Sequence, residues 1–315
     1  MGEAKRVGIV DAVVIGRNEG ARLVACLASL QGIVRRVVYV DSGSTDGSVA
    51  VATAAGAVVV ALDMGQAFTA ARARNAGLAR LGDDAPDYVQ FVDGDCTVQP
   101  GWIGAALRGF QDHAGAVVVC GRRRERFPGA SVYNGLCDGE WATPVGQAQS
   151  CGGDALMSYG AVMAVGGYRA GLIAGEEPEL CVRLRGAGGQ VWRIDAEMTL
   201  HDAAIVRLGQ WWRRAVRAGH AYAEVTALCG LWRREMWRAV LWAGWLPVVL
   251  AAGVVWPWAW VGLMVYPAQV VRLGFRDGWA AGVLAVLGKF AEAQGVVGYT
   301  WNGLRGRRGG IIEYK

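Results

Sequence analysis

The chain has 315 residues, enough for one large domain or a domain with a smaller appendage. Hydrophobic residues make up 53% and charged residues 19%, more apolar than an average soluble domain, which directs attention to membrane segments. The net charge of +5 is carried by arginine, since Lys occurs only at Lys5, Lys289 and Lys315, and no nucleic-acid-binding module accompanies it. The seven cysteines are odd in number and none has CxxC spacing, which argues against a zinc framework or disulfide scaffold and for free thiols in a reducing compartment. The N-terminal stretch MGEAKRVGIVDAVVIG is broken by Asp11 and does not have the form of a signal peptide, so the first part of the chain is expected to stay in the cytoplasm.

Short β-branched runs at 10–15, 36–40, 57–61, 88–92 and 116–120 alternate with helix-compatible stretches at about 20–29, 46–55, 69–80 and 101–111. Strand, helix, strand at this spacing predicts an α/β fold with a mostly parallel central sheet, and ligands of such sheets bind outside the carboxyl ends of the strands. Polar loops fall at those ends: GRNEG (16–20) after the first strand, DSGSTDGS (41–48) after the second, DGDC (93–96) after the fourth. Each alone reads as a turn; three on one sheet edge point to a site.

Residues 121–150, with Arg122, Arg123, Arg124 and Arg126, read as a surface loop. A strand and short helix are expected in CGGDALMSYGAVMAVGGY, and a helix in GEEPELCVRLRGAGG, with Pro178 at its start and glycines at its end. Two strands, QVWRI (190–194) and EMTLHD (197–202), precede an amphipathic helix over 206–228.

From Ala239 to Val271 there is no charged residue. Roughly 20 helical residues cross the hydrocarbon core, so this stretch suits two short or tilted spans with a break near Trp256–Pro257. Interfacial aromatics and flanking arginines (Arg233, Arg234, Arg238, Arg272, Arg276, and Arg305, Arg307 and Arg308 in the tail) predict a transmembrane hairpin at about 239–272 with both ends in the cytoplasm. A weakly amphipathic helix at about 279–300 is expected to lie in the interface.

Asp93 and Asp95 stand one residue apart at a strand end, and two like charges that close call for a positive group between them. Carboxylates at such a place suit a divalent cation, Mg2+ or Mn2+, shared with substrate phosphates. VVIGRNEGARLVACLASL, VVYVDSGSTDGS, ARNAGL, FVDGDC and GEEPEL follow one another in the order and spacing of family 2 glycosyltransferases, and over residues 8–225 the chain resembles that family. The resemblance implies the GT-A nucleotide-sugar-binding fold for a domain over 1–228, followed by a membrane-associated helical region over 229–315, like that of bacterial membrane-attached members.

What the resemblance implies for individual residues is as follows. Ile15, Arg17 and Glu19 line the nucleoside, Asp41 accepts a hydrogen bond from the base, Arg74 and Asn75 lie near base and diphosphate, and Asp93 touches ribose or a metal-bound water. Asp95 ligates the cation, with His201 of TLHD as a further ligand, and Asp154 is a partner for a sugar or acceptor hydroxyl. Glycosyl transfer needs a general base, and the N-terminus of a helix favours an ionised carboxylate. Glu177 is the expected base and Glu176 the alternative; the family usually has Glu-Asp where this chain has Glu-Glu. Inversion follows if one carboxylate acts as base without a covalent intermediate, and retention stays open. QWWRR, with Gln210, Trp211, Arg213 and Arg214, is similar to the QxxRW signature of processive synthases except that Arg214 replaces Trp. It is either an acceptor element or a membrane-surface helix. The implied activity is transfer of one sugar from a nucleotide sugar, with a UDP-sugar favoured and a GDP-sugar the alternative, to a lipid-linked or polyprenyl-phosphate acceptor at the cytoplasmic membrane face. The alternatives are a sugar-nucleotidyltransferase, disfavoured because GRNEGARL has no lysine, and a non-catalytic membrane scaffold. A dinucleotide-binding protein is disfavoured by the lack of GxGxxG after the first strand.

Overall fold

The computed structural model describes residues 8–306. Arg307 and Arg308 of the basic tail lie outside the described residues. Two compact units are present: 8–127 with 137–172 and 176–203, and 128–136 with 173–175 and 204–306.

The first unit holds a nine-stranded sheet. Its first half follows the expected beat: β1 (Val10–Gly16), α1 (Ala21–Leu30), β2 (Val37–Asp41), α2 (Ser48–Ala54), β3 (Val58–Ala61), α3 (Ala70–Leu81), β4 (Tyr88–Asp93), β5 (Cys96–Val98), α4 (Trp102–Asp112) and β6 (Ala116–Glu125). β1, β2 and β4 are buried almost throughout, because helices cover both faces of a parallel sheet and leave no position for polar alternation.

The second half departs from expectation. The sheet order is β3-β2-β1-β4-β8-β6-β9-β5, with β7 beside β9. β8 (Ala155–Ser158) enters antiparallel between β4 and β6, and β5 and β7 pair antiparallel with β9. The sheet is therefore mixed rather than mostly parallel: among the described residues β1–β2, β1–β4, β2–β3 and β6–β9 are parallel and the other pairs antiparallel. The two strands expected over 190–202 are one, β9 (Gln190–His201), which absorbs the interruption as register shifts against β6. Residues 121–150 are not a loop. β6 runs on to Glu125, a 3-10 turn covers Pro128–Ala130, and α5 (Val132–Trp141) and β7 (Gly146–Ala148) follow. Two glycines dilute the apolar periodicity of α5, whose start is marked by Ser131 Oγ accepting from Asn134 N at 3.0 Å. α6 (Tyr159–Ala164) and α7 (Glu176–Gly186) occur where expected.

The second unit is built from α8 (Leu208–Cys229), α9 (Arg233–Val255), a 3-10 segment (Pro257–Met264), α10 (Val265–Asp277) and α11 (Trp279–Leu304). The chain breaks at Trp256–Pro257 as expected, but the second arm of the hairpin is a 3-10 segment joined to a short helix. Among the described residues, the two helices long and apolar enough to cross a membrane are α9 and α11, so the second is the one expected to lie in the interface. α11 packs on α8, with Trp212 Nε1 donating to Gln294 Oε1 at 2.9 Å, whereas α9 is mostly uncovered.

Beneath the strand ends, Gln90 in the middle of β4 is fully buried; it accepts from Trp102 Nε1 at 2.8 Å and donates to the Phe91 carbonyl at 2.8 Å. Gln90→Leu strands the indole N–H in an apolar core, and urea unfolding should show a loss of about 1–3 kcal/mol.

Candidate active site

The carboxyl ends of β1, β2 and β4 meet at one edge, and their loops are tied together. The Asn18 amide donates to Ser44 Oγ (3.0 Å), Thr45 N donates to Asn18 Oδ1 (2.7 Å), and Gly20 N donates to Asp46 Oδ2 (3.2 Å). Asp41, at the end of β2, is buried; its carboxylate accepts from Tyr39 Oη (3.1 Å), Gly43 N (3.1 Å) and Ser44 N (2.9 Å). Gly94 comes within reach of β1, its N–H donating to the Ile15 carbonyl at 2.8 Å. A Cβ there would meet that oxygen at 3.1 Å and Glu19 Cγ at 3.2 Å, so the turn between the two aspartates needs glycine. Ile15 is buried behind this turn, Glu19 pairs with Arg22 at 2.8 Å, and Arg17 is exposed on the same loop.

The group that separates the acidic charges is a guanidinium. Arg74, on α3 and buried, reaches Asp93 Oδ1 (2.8 Å), Glu176 Oε1 (3.0 Å) and Glu177 Oε1 (2.7 Å). A second one, Arg123 on β6, lies 2.9 Å from Asp154 Oδ2 and 3.6 Å from Asp93 Oδ2. Asp154 is fully buried and also accepts from Asp93 N (3.1 Å) and Thr199 Oγ1 (2.7 Å). Burial pushes the Glu177 carboxyl up to about 7, against the pull of Arg74 and with help from Glu176 and Asp93. Its position in the first turn of α7 supplies a favourable dipole for the ionised form.

Asp95 faces the other way. Its Oδ2 lies 3.2 Å from His201 Nε2, and both residues are buried. Burial, and then the charge of Arg123, pull the His201 imidazole down to about 4, so it is neutral near pH 7 and has a lone pair to offer. Asp93, Asp154, Glu176 and Glu177 are bound by the two guanidiniums, while Asp95 lies beside the neutral His201, a place where a divalent cation would be stabilised by carboxylate charge. Asp95 and His201 belong to a cluster whose ligand atoms lie within 4.8 Å of one another. The donor set fits Mn2+ or Mg2+ held by a carboxylate and an imidazole, with positions left for substrate oxygens.

Residues 11–137 match the family model "Glycosyl transferase family 2". That stretch is similar to family 2 glycosyltransferases. A mannosyltransferase from Pyrobaculum calidifontis, solved with GDP-Man and Mn2+, is similar at TM-score 0.64 and 16% identity, over 95% of this chain and 88% of that one. Glucosyl-3-phosphoglycerate synthase from Mycobacterium tuberculosis, solved with Mn2+, UDP and glucosyl-3-phosphoglycerate, is similar at TM-score 0.52 and 20% identity, over 72% of this chain and 82% of that one. At these identities the likeness shows the fold. No curated protein matches.

Within and beyond the matched stretch the structure gathers Asp93, Asp95, Arg74, Asp154, Glu176, Glu177 and His201 into one cluster, with Asp41 and Glu19 on the loops beside it. Asn75 is spent elsewhere: its amide donates to the Tyr168 carbonyl (2.7 Å) and accepts from Tyr168 N (2.8 Å), holding a loop of the fold. Gln210 is a capping residue of α8, accepting from Val206 N (3.0 Å) and Arg207 N (3.1 Å). Trp211 is buried against Tyr133, Arg213 is exposed and Arg214 half-buried, all in the second unit. Arg123 and Trp141 were hidden in the stretch expected to be a loop. The Arg123 guanidinium lies over the Trp141 ring, and the same ring meets His201 edge-on at 4.8 Å. The run of arginines was the available signal, but the register shifts of β6 against β9 at Cys120–Arg123 break the alternation that would have told which of them faces the site.

Gly153 closes the cluster. A Cβ there would lie 2.8 Å from Asp93 Oδ2, 2.9 Å from Arg74 Nη2 and 3.2 Å from Arg123 Nη2. Gly153→Ala should lower stability by about 1–3 kcal/mol by crowding these ion pairs, and calorimetric titration with Mn2+ and nucleotide should show weaker binding than in the parent.

Proposed function

We propose that the chain is a metal-dependent inverting glycosyltransferase that moves one sugar from a nucleotide sugar, UDP-linked by preference over GDP-linked, to an acceptor hydroxyl or phosphate. The observation that carries this is the split of the acidic cluster around Asp93: the Asp95–His201 pair on one side, the Arg74-bound Glu177 on the other. One pole is suited to a leaving diphosphate and the other to an incoming acceptor. Structural neighbours solved with GDP-Man and Mn2+, and with UDP and Mn2+, support the donor class and the metal.

In this reading Asp41 holds the base, the tied loops after β1 and β2 hold the nucleoside, and Asp95 and His201 hold Mn2+ or Mg2+. The cation would supply charge neutralisation at the diphosphate. Asp93 orients the ribose, Asp154 positions the Arg123 charge and the Asp93 backbone, and Glu177 takes the acceptor proton. Arg74 keeps Glu177 ionised where burial would protonate it. With nucleotide release from a panel of nucleotide sugars as the readout, the wild type should turn over one of them only with Mn2+ or Mg2+, and Asp95→Asn should lower the rate at least ~100-fold, given what a bound metal contributes to such transfers. A rate independent of both metal and Asp95 overturns the proposal. Since the base acts as carboxylate and its value lies near 7, kcat/KM should rise with pH, level off above that value, and be lost in Glu177→Gln at every pH.

The acceptor is proposed to be lipid-linked or a polyprenyl phosphate, with the enzyme on the inner membrane and its catalytic unit in the cytoplasm. Support comes from α9 and the segment after it. Trp256 and Trp258 are 63% and 75% exposed, Leu241, Val248, Val254 and Val255 are bare, and Arg233, Arg234, Arg238, Arg272 and Arg276 flank the stretch on the surface. Bare apolar helix bordered by Trp and Arg suits a bilayer and its headgroups. The protein should co-sediment with anionic phospholipid vesicles, and sugar transfer should need polyprenyl phosphate in those vesicles; full transfer to a soluble acceptor without lipid counts against this part of the reading.

A further inference from the structure

Cys96 ends the DGDC motif, and neither the strand core nor the proposed reaction requires a thiol there. β5 pairs antiparallel with β9 so that Cys96 lies directly opposite His201, and residues opposite each other on an antiparallel pair project from the same face. Cys96 is fully buried, and its Sγ lies 3.6 Å from Asp95 Oδ1, while Asp95 Oδ2 lies 3.2 Å from His201 Nε2. One ligand atom from each of the three falls within 4.8 Å of the others. His201 is buried, and its Nδ1 has no hydrogen-bond partner that would turn the ring away from this point. Oxygen, nitrogen and sulfur about 2.0–2.3 Å from a tetrahedral zinc ion stand roughly 3.3–3.8 Å apart, a spacing that the cluster, within 4.8 Å throughout, reaches by small side-chain adjustments.

We propose that Cys96 gives the cation site a second mode, in which Asp95, Cys96 and His201 together bind a thiophilic dication such as Zn2+ or Cd2+ without nucleotide. This rests on the reading of Asp95 and His201 as the metal pole. Mn2+ and Mg2+ prefer oxygen, leave the sulfur unused, and with two protein ligands rely on a diphosphate to complete their shell. A thiophilic ion finds three protein ligands. As the sulfur–metal bond forms, the thiol proton passes to water, and the ion occupies the place where the nucleotide's cation would sit. Zinc and cadmium therefore act as competitors of manganese, and the thiol decides between them.

Equilibrium dialysis of the nucleotide-free, full-length protein against Zn2+ should find one tight site, weakened at least tenfold in Cys96→Ser. Titration with Cd2+ should give a thiolate-to-metal charge-transfer band in the ultraviolet. Its wild-type minus Cys96→Ser difference reports Cys96 alone, because the Cys151 and Cys181 thiols, 3.7 Å apart, are common to both proteins. Should Cys96→Ser fail to fold by circular dichroism, His201→Gln keeps every thiol and should also lose at least tenfold in zinc affinity. A wild type that takes up no zinc without nucleotide, or variants that bind it equally well, overturn the proposal. Metal-dependent sugar transfer without zinc uptake removes only this inference; zinc uptake without turnover of any nucleotide sugar removes only the transferase reading.

Discussion

The buried guanidinium of Arg74 is the constraint on which the rest of the site depends. Three carboxylates from two parts of the chain, Asp93 at a strand end and Glu176 and Glu177 at a helix start, converge on it. Without that charge, burial and mutual repulsion would force protons onto the acids or drive them apart. With it, β4 and α7 are held at a fixed separation, and Glu177 stays close to the boundary between its two protonation states. Arg123 plays the corresponding part on the other flank, joining Asp154 to Asp93 from β6. The floor of the site is thus a two-arginine lattice, built by α3 and β6 before any ligand is present.

Such a lattice has a polarity. On the side facing Asp95 and His201 the imidazole is neutral near pH 7, so it brings no positive charge of its own. The side facing Glu177 is paired. A cation is therefore drawn to one pole and a proton donor to the other. On the proposed reading, sugar transfer asks for that asymmetry, and Arg74 supports it by binding both Asp93 and Glu177.

Much of this was legible in the sequence. The strand beat through β6, the polar loops at the strand ends and the FVDGDC and GEEPEL motifs locate Asp41, Asp93, Asp95 and Glu177 without coordinates, because parallel strands place their carboxyl-end residues on a common edge. What was not legible depends on long-range pairing. β8 reverses direction between β4 and β6, and β9 is one strand because β6 accommodates its irregular register; neither fact has a local signature. The contacts of Arg74 within the protein are not legible for the same reason: its spacing on α3 shows which face it occupies but not that Glu176 and Glu177, 102 and 103 positions later, come to that face. Asn75 was grouped with it by adjacency, yet neighbouring helical positions point about 100° apart, and it serves Tyr168 instead. In the C-terminal unit, composition located the break at Trp256–Pro257 but not the 3-10 winding after it, since tryptophan-rich apolar sequence is compatible with either helix.

The cross-links among Asn18, Gly20, Ser44, Thr45 and Asp46 have a consequence for how a donor would be received. Loops that are already stapled to each other lose little freedom when a guest arrives, so the ordering penalty has been met during folding rather than at capture. Recognition then rests on fit to a rigid slot. A change of base preference in such a protein would come from reshaping that slot's wall around Asp41, not from altering how the loops close.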